Sequence, residues 1–421
     1  MAQSPLTSSE RGVPLATGPS RLPETLAALR YRDFRLLTFG TGFAIGGWWM
    51  IIVAQGWLVL EMSNSAFWVA TASSAMALPS LILGPVAGVA ADRLDRRRLL
   101  LVTRSIVIAL GLIEGIMILT EVIRLWEVLL LAAVTGSAFA MDIPARQSLV
   151  PDTVPESVLP NGIAINVSVF SLAAIIGPAA GAAVLATVGA GGCFIANAVG
   201  NVALVAAIAL LRTPDRTPSD RTSVLADFTG GLRFVRNSPV VLLLLLTSML
   251  GVLGNTPWRE LAPVFVRDVF GGTEAGLGAL YTGSGVGAVI GAGLLLWLSR
   301  SERRSLIYGG AITLGIVAVL GFSTSPTIQV AVGFALLSGV ANQLSGAMAQ
   351  TVILLQTPDR FRGRMMSLWM LLWGLQPAAT LISGVLADAF EPRIAVAGMA
   401  AMVGLLIVTL GIRMRSTWRA F

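Results

Sequence analysis

Residues 88–120 read GVAADRLDRRRLLLVTRSIVIALGLIEGIMILT. Arg residues crowd the opening, and an apolar run from 99 to 120 follows whose one carboxylate is Glu114. A helix needs about 20 mostly apolar residues to cross a bilayer. Hydrocarbon offers no partner to open backbone, so a run of this kind must be helical. The same alternation of basic turn and apolar run repeats along the chain. It predicts twelve spans, at roughly 36–60, 66–91, 99–120, 127–149, 161–187, 189–211, 240–265, 274–299, 305–322, 327–355, 364–387 and 393–412. The composition agrees: 12% of residues are charged and mean hydropathy is +0.81, whereas a soluble domain carries about 25% charge.

Arg placement sets the expected orientation. The chain has no Lys and no His, so its 29 basic residues are all Arg. With the N-terminus inside, 25 fall in inner segments, Arg104 being counted with the 93–98 loop, and Arg124, Arg259, Arg267 and Arg393 remain outside. Cytoplasmic loops carry the basic excess, so both termini are expected in the cytoplasm and the number of spans should be even. The +7 charge is thereby assigned to membrane topology rather than to nucleic acid. Residues 1–34 hold no apolar core and read as a cytoplasmic tail without a cleavable signal. Cys193 stands alone, and without His no Cys/His metal cluster can form. Neither a metal nor a cofactor is expected. Without a phosphate-binding loop or a His base, no enzyme activity is expected either.

The longest polar interruption, about 212–239, divides the spans six and six. Within it Val224, Leu225, Phe228, Leu232 and Val235 keep helical spacing beside Arg233 and Arg236, which predicts an amphipathic helix on the inner membrane surface. The expected organisation is a tail (1–34), a six-helix half (35–211), a linker (212–239), a second half (240–413) and a short tail (414–421). The halves match at an offset of about 203 residues: Gly136 with Gly339, Gln147 with Gln350, Ser148 with Thr351, Pro155 with Pro358, Glu156 with Asp359 and Gly181 with Gly384. Two six-helix repeats related by an axis along the membrane normal are one transporter plan, with substrate held between them near the midplane.

Two motifs carry a family resemblance. In GVAADRLDRRRL (88–99), Gly88, Asp92, Arg93, Arg96 and Arg97 match the major facilitator superfamily signature G-x-x-x-D-R-x-G-R-R, with Asp95 in place of the second Gly. In AAIIGPAAGAAV (173–184), Gly177, Pro178 and Gly181 resemble its antiporter signature, with Ala173 and Ala182 replacing two glycines. LRYRDFRLL (29–37), DIPARQSLVPDTVP (142–155) and LRFVRNSP (232–239) are similar to the bacterial drug and siderophore exporter branch, which includes macrolide and enterobactin exporters. The resemblance implies an all-α membrane protein of twelve transmembrane helices in two pseudo-symmetric halves, a cytoplasmic latch at 88–97, and export by alternating access. Many exporters of the superfamily carry an Arg deep in the fourth span; here Arg146 lies at the inner end of that span, and the role is not transferred.

Charged and polar residues inside spans are the candidate working groups. Glu114 and Glu260 are candidates for proton coupling, and Glu114, with no cation near it in sequence, is favoured. Arg259, Gln55, Gln343, Trp369, Trp373 and Gln376 are candidates for substrate contact. Met365, Trp369, Trp373 and Gln376 fall at helical spacing on one expected face of the eleventh span. The expected function is proton-coupled export of small amphipathic molecules, by a monomer in the inner membrane of a bacterial-type cell. A lipid or lysophospholipid flippase, a nutrient permease and a non-transporting sensor or assembly partner are the alternatives.

Overall fold

The computed structural model describes residues 24–93, 95–212, 233–298, 303–358, 361–362, 365–366, 368–369, 372 and 374–418. Six long helices precede the linker: α1 (Arg32–Ser63), α2 (Ala66–Arg93), α3 (Arg96–Leu119), α4 (Leu125–Leu149), α5 (Leu159–Val188) and α6 (Ala190–Ala209). Six follow it: α7 (Pro239–Glu260), α8 (Glu274–Leu298), α9 (Arg304–Ser323), α10 (Ile328–Gln356), α11 (Gln376–Ala389) and α12 (Pro392–Arg413). Among the described residues there is no strand, and eleven helical stretches are long and apolar enough to span a membrane. Trp297, Leu405 and Ile412, at 76%, 68% and 71% exposure, belong to an apolar outer surface too extensive for a water-soluble monomer.

Close backbone approach sets the packing. A Cβ on Gly136 of α4 would collide with the carbonyl oxygen of Met76 on α2, and one on Gly339 of α10 with that of Ser284 on α8. The sequence match of Gly136 with Gly339 therefore has a cause: in each half the fourth helix seats its glycine on the second. Without a hydrophobic drive between helices in lipid, such small-residue contacts supply the packing. Across the halves, α5 packs on α8, α11 on α2, and the segment after α7 on α1.

Two expectations change. The eleventh span is not one continuous helix: Gly374 and Leu375 form a turn and α11 begins at Gln376. Pro377 offers no N–H, and its ring crowds the preceding turn, so the single face drawn from Met365 to Gln376 is interrupted. Arg104, counted with the 93–98 loop, lies eight residues into α3 and is 3% exposed. Asp95, standing where the signature has Gly, caps α3 by accepting from Arg98 N–H at 3.0 Å. Of the amphipathic linker helix, Val224, Leu225, Phe228 and Leu232 lie outside the described residues, while 233–237 is helical.

The end of the bundle holding the Arg-rich turns is called inner below, and the end holding the α1–α2 turn outer. At the inner end, Arg32 Nη1 donates to Leu210 O at 3.2 Å and Arg97 Nη2 to Ala209 O at 2.5 Å. These cations meet the free carbonyls at the C-terminus of α6, where the helix dipole favours them.

Candidate substrate and coupling site

Glu114 sits on α3, buried in the N-terminal half. It shares a small pocket with Gln55 of α1, Thr135 of α4 and Asn197 of α6, walled by Met76, Val107 and Phe194. Asn197 is clamped because α1 and α3 both approach it through glycine: a Cβ on Gly47 would lie 2.7 Å from Asn197 Cα, and one on Gly111 3.6 Å from Asn197 Nδ2. Glu114 Oε1 and Asn197 Nδ2 are both buried without a hydrogen-bond partner among the described residues. Buried polar atoms are nearly always paired, so an acceptor and a donor left open in one pocket call for a role. The pocket unites two sequence candidates, Glu114 and Gln55, from separate helices.

A second cluster straddles the halves. Arg259, in the last turn of α7, lays its guanidinium 4.9 Å from the ring centroid of Trp49 on α1. Tyr281 of α8 donates its hydroxyl to Arg259 O at 2.9 Å, and its ring lies 6.5 Å from that of Trp49. Gln376, at the start of α11, donates Nε2 to Glu260 Oε1 at 2.9 Å. Arg259 and Glu260 do not pair with each other; neither forms an ion pair among the described residues. Trp49 Nε1 is buried and has no hydrogen-bond partner among the described residues. The cluster thus offers an aromatic face, a stacked cation, a carboxylate and a free indole N–H where four helices from both halves converge.

A third site lies within the C-terminal half, between α7, α9, α10, α12 and the stretch before α11. It encloses roughly 870 Å³ of empty space, part of it open to the surroundings. Thr247, Ser248, Asn255, Thr256, Tyr308, Asn342 and Ser345 supply its polar groups, Trp369 an aromatic wall, and among the described residues no Asp, Glu or Arg lines it. Thr247 and Ser248 both hydrogen-bond Tyr308 Oη, at 2.8 and 3.1 Å. Gln343 is not part of this site; it points toward α8, its Cβ 3.0 Å from where a Cβ on Gly291 would lie. Trp373 lies outside the described residues.

The motif loop divides. Gly88, Asp92 and Arg93 fall on α2, Arg96 and Arg97 on the first turn of α3. Arg96 lies 3.9 Å from Asp152 and Arg97 holds the end of α6. Gly177 and Gly181 of α5 receive α1: Cβ atoms there would lie 2.6 Å from Trp49 Cβ and 3.0 Å from Met50 Cα. Pro178 and Ala182 face α8 instead, against Gly278. Both faces of the antiporter-like segment are therefore packing faces.

Sequence reasoning missed a buried ion cluster. Arg104 donates Nε to Asp142 Oδ1 at 2.6 Å, Nη2 to Asp142 Oδ2, and Nη1 to Asn201 Oδ1 at 2.7 Å. Arg146 adds a contact to Asp142 at 3.4 Å, and Phe139 lies under the Arg104 guanidinium at 5.1 Å. The Asp142–Arg146 spacing of four was legible; Arg104 and Asn201 come from other helices. Trp49 and Tyr281 were likewise unmarked, since an aromatic in an apolar run carries no local signal.

The comparisons with known proteins agree with this architecture. The chain is 27% identical to the multidrug efflux pump Tap of Mycolicibacterium fortuitum over 85% of its length and 88% of the relative's. It is 24% identical to macrolide efflux protein A of Streptococcus pyogenes, over 84% and 87%. A bacterial homologue of the human lysosomal transporter Spinster, solved inward-facing and unoccupied, superposes with a TM-score of 0.69 at 15% identity, over 95% of this chain and 97% of that one. The model of the transmembrane secretion effector family matches residues 23–419, and the chain belongs to that family of major facilitator membrane transporters.

Proposed function

We propose that the protein exports small amphipathic molecules in exchange for protons, by alternating access in a cytoplasmic membrane with both termini inside. The observation that carries the reading is Glu114: a carboxyl with no ion-pair partner among the described residues, buried between α1, α3, α4 and α6, its Oε1 open to a pocket. An isolated charge is expensive in such surroundings, and a carboxyl can shed it by taking up a proton. Coupling needs one group whose proton is exchanged with different sides in different states. Glu260 is the second candidate, but it is engaged by Gln376 and sits near Arg259.

The substrate is held by groups that suit amphipathic compounds. The charge-free C-terminal site would take apolar bulk and neutral hydrogen-bonding groups, with Trp369 as a flat contact. The cross-half cluster of Trp49, Arg259, Tyr281 and Gln376 would sense the substrate at the seam that must open. The 88–97 loop would hold the inner ends together in the opposite state. The names of the relatives, a multidrug pump and a macrolide exporter, favour drug-like over nutrient substrates.

The test is Glu114→Gln in inverted membrane vesicles, with a radiolabelled macrolide and an uncharged fluorescent amphiphile as probes. The amide keeps the shape and loses the titration. Gradient-driven transport should fall to background while equilibrium binding of the probe persists. Wild-type transport in both Glu114→Gln and Glu260→Gln would remove these carboxyls from the mechanism.

A further inference from the structure

The α1–α2 turn ends one helix and starts the next, so it exposes free carbonyls of α1 and free N–H groups of α2 within a few residues. A charged side chain from the opposite half reaches each of these two helix ends. Asp388, near the outer end of α11, accepts from Ala66 N–H at 2.7 Å through Oδ1, and from Ser65 Oγ at 2.5 Å and Phe67 N–H at 3.2 Å through Oδ2. Arg267, in the segment after α7, donates Nη1 at 3.0 Å to Leu60 O, a carbonyl in the last turn of α1 that also accepts from Asn64 N–H at 2.9 Å. A carboxylate thus sits on the positive end of one helix dipole and a guanidinium on the negative end of the other.

The fit is built, not incidental. Helix N-termini are ordinarily capped by the residue just before them. Here Ser65 Oγ accepts from Trp68 N–H at a long 3.4 Å, and the N–H groups of Ala66 and Phe67 go to a residue more than 320 positions away. Gly384, one turn before Asp388, lets α11 close in: a Cβ there would lie 2.5 Å from Ala70 Cβ and 3.1 Å from Ala66 O. The seam continues inward through Ser74 Oγ, which donates to Pro377 O at 3.1 Å. Asp268 pairs with Arg267 at 2.6 Å and orients it.

We infer that Asp388 and Arg267 are positioning residues that form an outer latch: together they seat the α1–α2 turn in the C-terminal half and hold the outer end closed, and both contacts must break each time that end opens. The inference rests on the alternating-access reading, but its test does not depend on transport. Spin labels at Met62→Cys and Phe390→Cys, in a Cys193→Ser background and lipid nanodiscs, report the outer distance without substrate or gradient. The parent chain should give a mainly short distance. Asp388→Ala and Arg267→Gln should each raise the ratio of long to short distances by about tenfold, as expected for losing hydrogen bonds to a charged group, and the double variant should raise it further. Asp388→Asn keeps the shape and one acceptor, and should fall between, which preserves the test should the alanine variant fold poorly. Glu274→Gln, which removes a charge elsewhere at the outer end, should leave the distribution unchanged. Unchanged distances in Asp388→Asn and in Arg267→Gln would overturn the latch, as would an equal shift in Glu274→Gln. Absence of efflux by the parent chain, with the distance response intact, would count against the export reading alone.

Discussion

Replacing Asp142 should destabilise the protein far more than replacing its partner Arg104. The cluster holds two guanidinium groups and one carboxylate, with Arg104 and Asp142 at 3% and 1% exposure. Asp142→Ala leaves Arg104 buried with, among the described residues, the Asn201 amide oxygen and the face of Phe139. An uncompensated buried charge of this kind costs about 3–5 kcal/mol. Arg104→Met leaves Asp142 with Arg146 at 3.4 Å, so its loss should be smaller, about 1–3 kcal/mol. The double variant Arg104→Met/Asp142→Leu removes both buried charges and should lie within about 2 kcal/mol of the parent, because well-packed apolar residues often replace a buried pair at little cost. Asp142→Leu alone closes the cycle, and its coupling energy should be at least about 1 kcal/mol, as for neighbours sharing one network. Unfolding in mixed detergent micelles, followed by tryptophan fluorescence, measures each. An Asp142→Ala loss below about 0.5 kcal/mol, the range of an ordinary surface substitution, would refute the reasoning.

Gly136→Val should prevent stable packing of α4 on α2, read as loss of the monodisperse peak in detergent; its counterpart Gly339→Val should do the same for α10 on α8. Asp92→Asn should impair transport more than membrane abundance, and full transport at normal abundance would reduce the loop to an anchor. Reporter fusions at Arg11 and Phe421 should both report the cytoplasm, and an external C-terminus would contradict the Arg-based orientation.

What was legible in the sequence follows from what lipid enforces. Span boundaries such as 66–91 and 274–299 fall within two residues of α2 and α8, because the bilayer fixes both the length and the apolarity of a crossing helix. Hydropathy predicts the eleventh span as one helix because it is blind to the backbone consequence of Pro377. A charge count places Arg104 with the loop because it takes any Arg near a span end as exposed; its neutralising partner lies 38 residues away on another helix, visible only after packing. Glu114 stood out as a lone carboxylate in an apolar run, and Gln55 was marked separately, yet nothing local said that they share a pocket. Nothing local in the sequence singles out Asp388. Its meaning comes from two N–H groups in the other half of the chain.

The most direct test of proton-coupled export is proton movement driven by the substrate. The purified chain, reconstituted in liposomes that enclose a pH-sensitive dye, is given an outward gradient of a macrolide or of an uncharged amphiphile, with membrane potential clamped. Proton-coupled export predicts a pH change inside that requires the transported probe, reflects proton flow opposite to the probe's flux, and disappears in Glu114→Gln while probe binding remains. Probe flux with no accompanying pH change, or a pH change of wild-type size in Glu114→Gln, would contradict it.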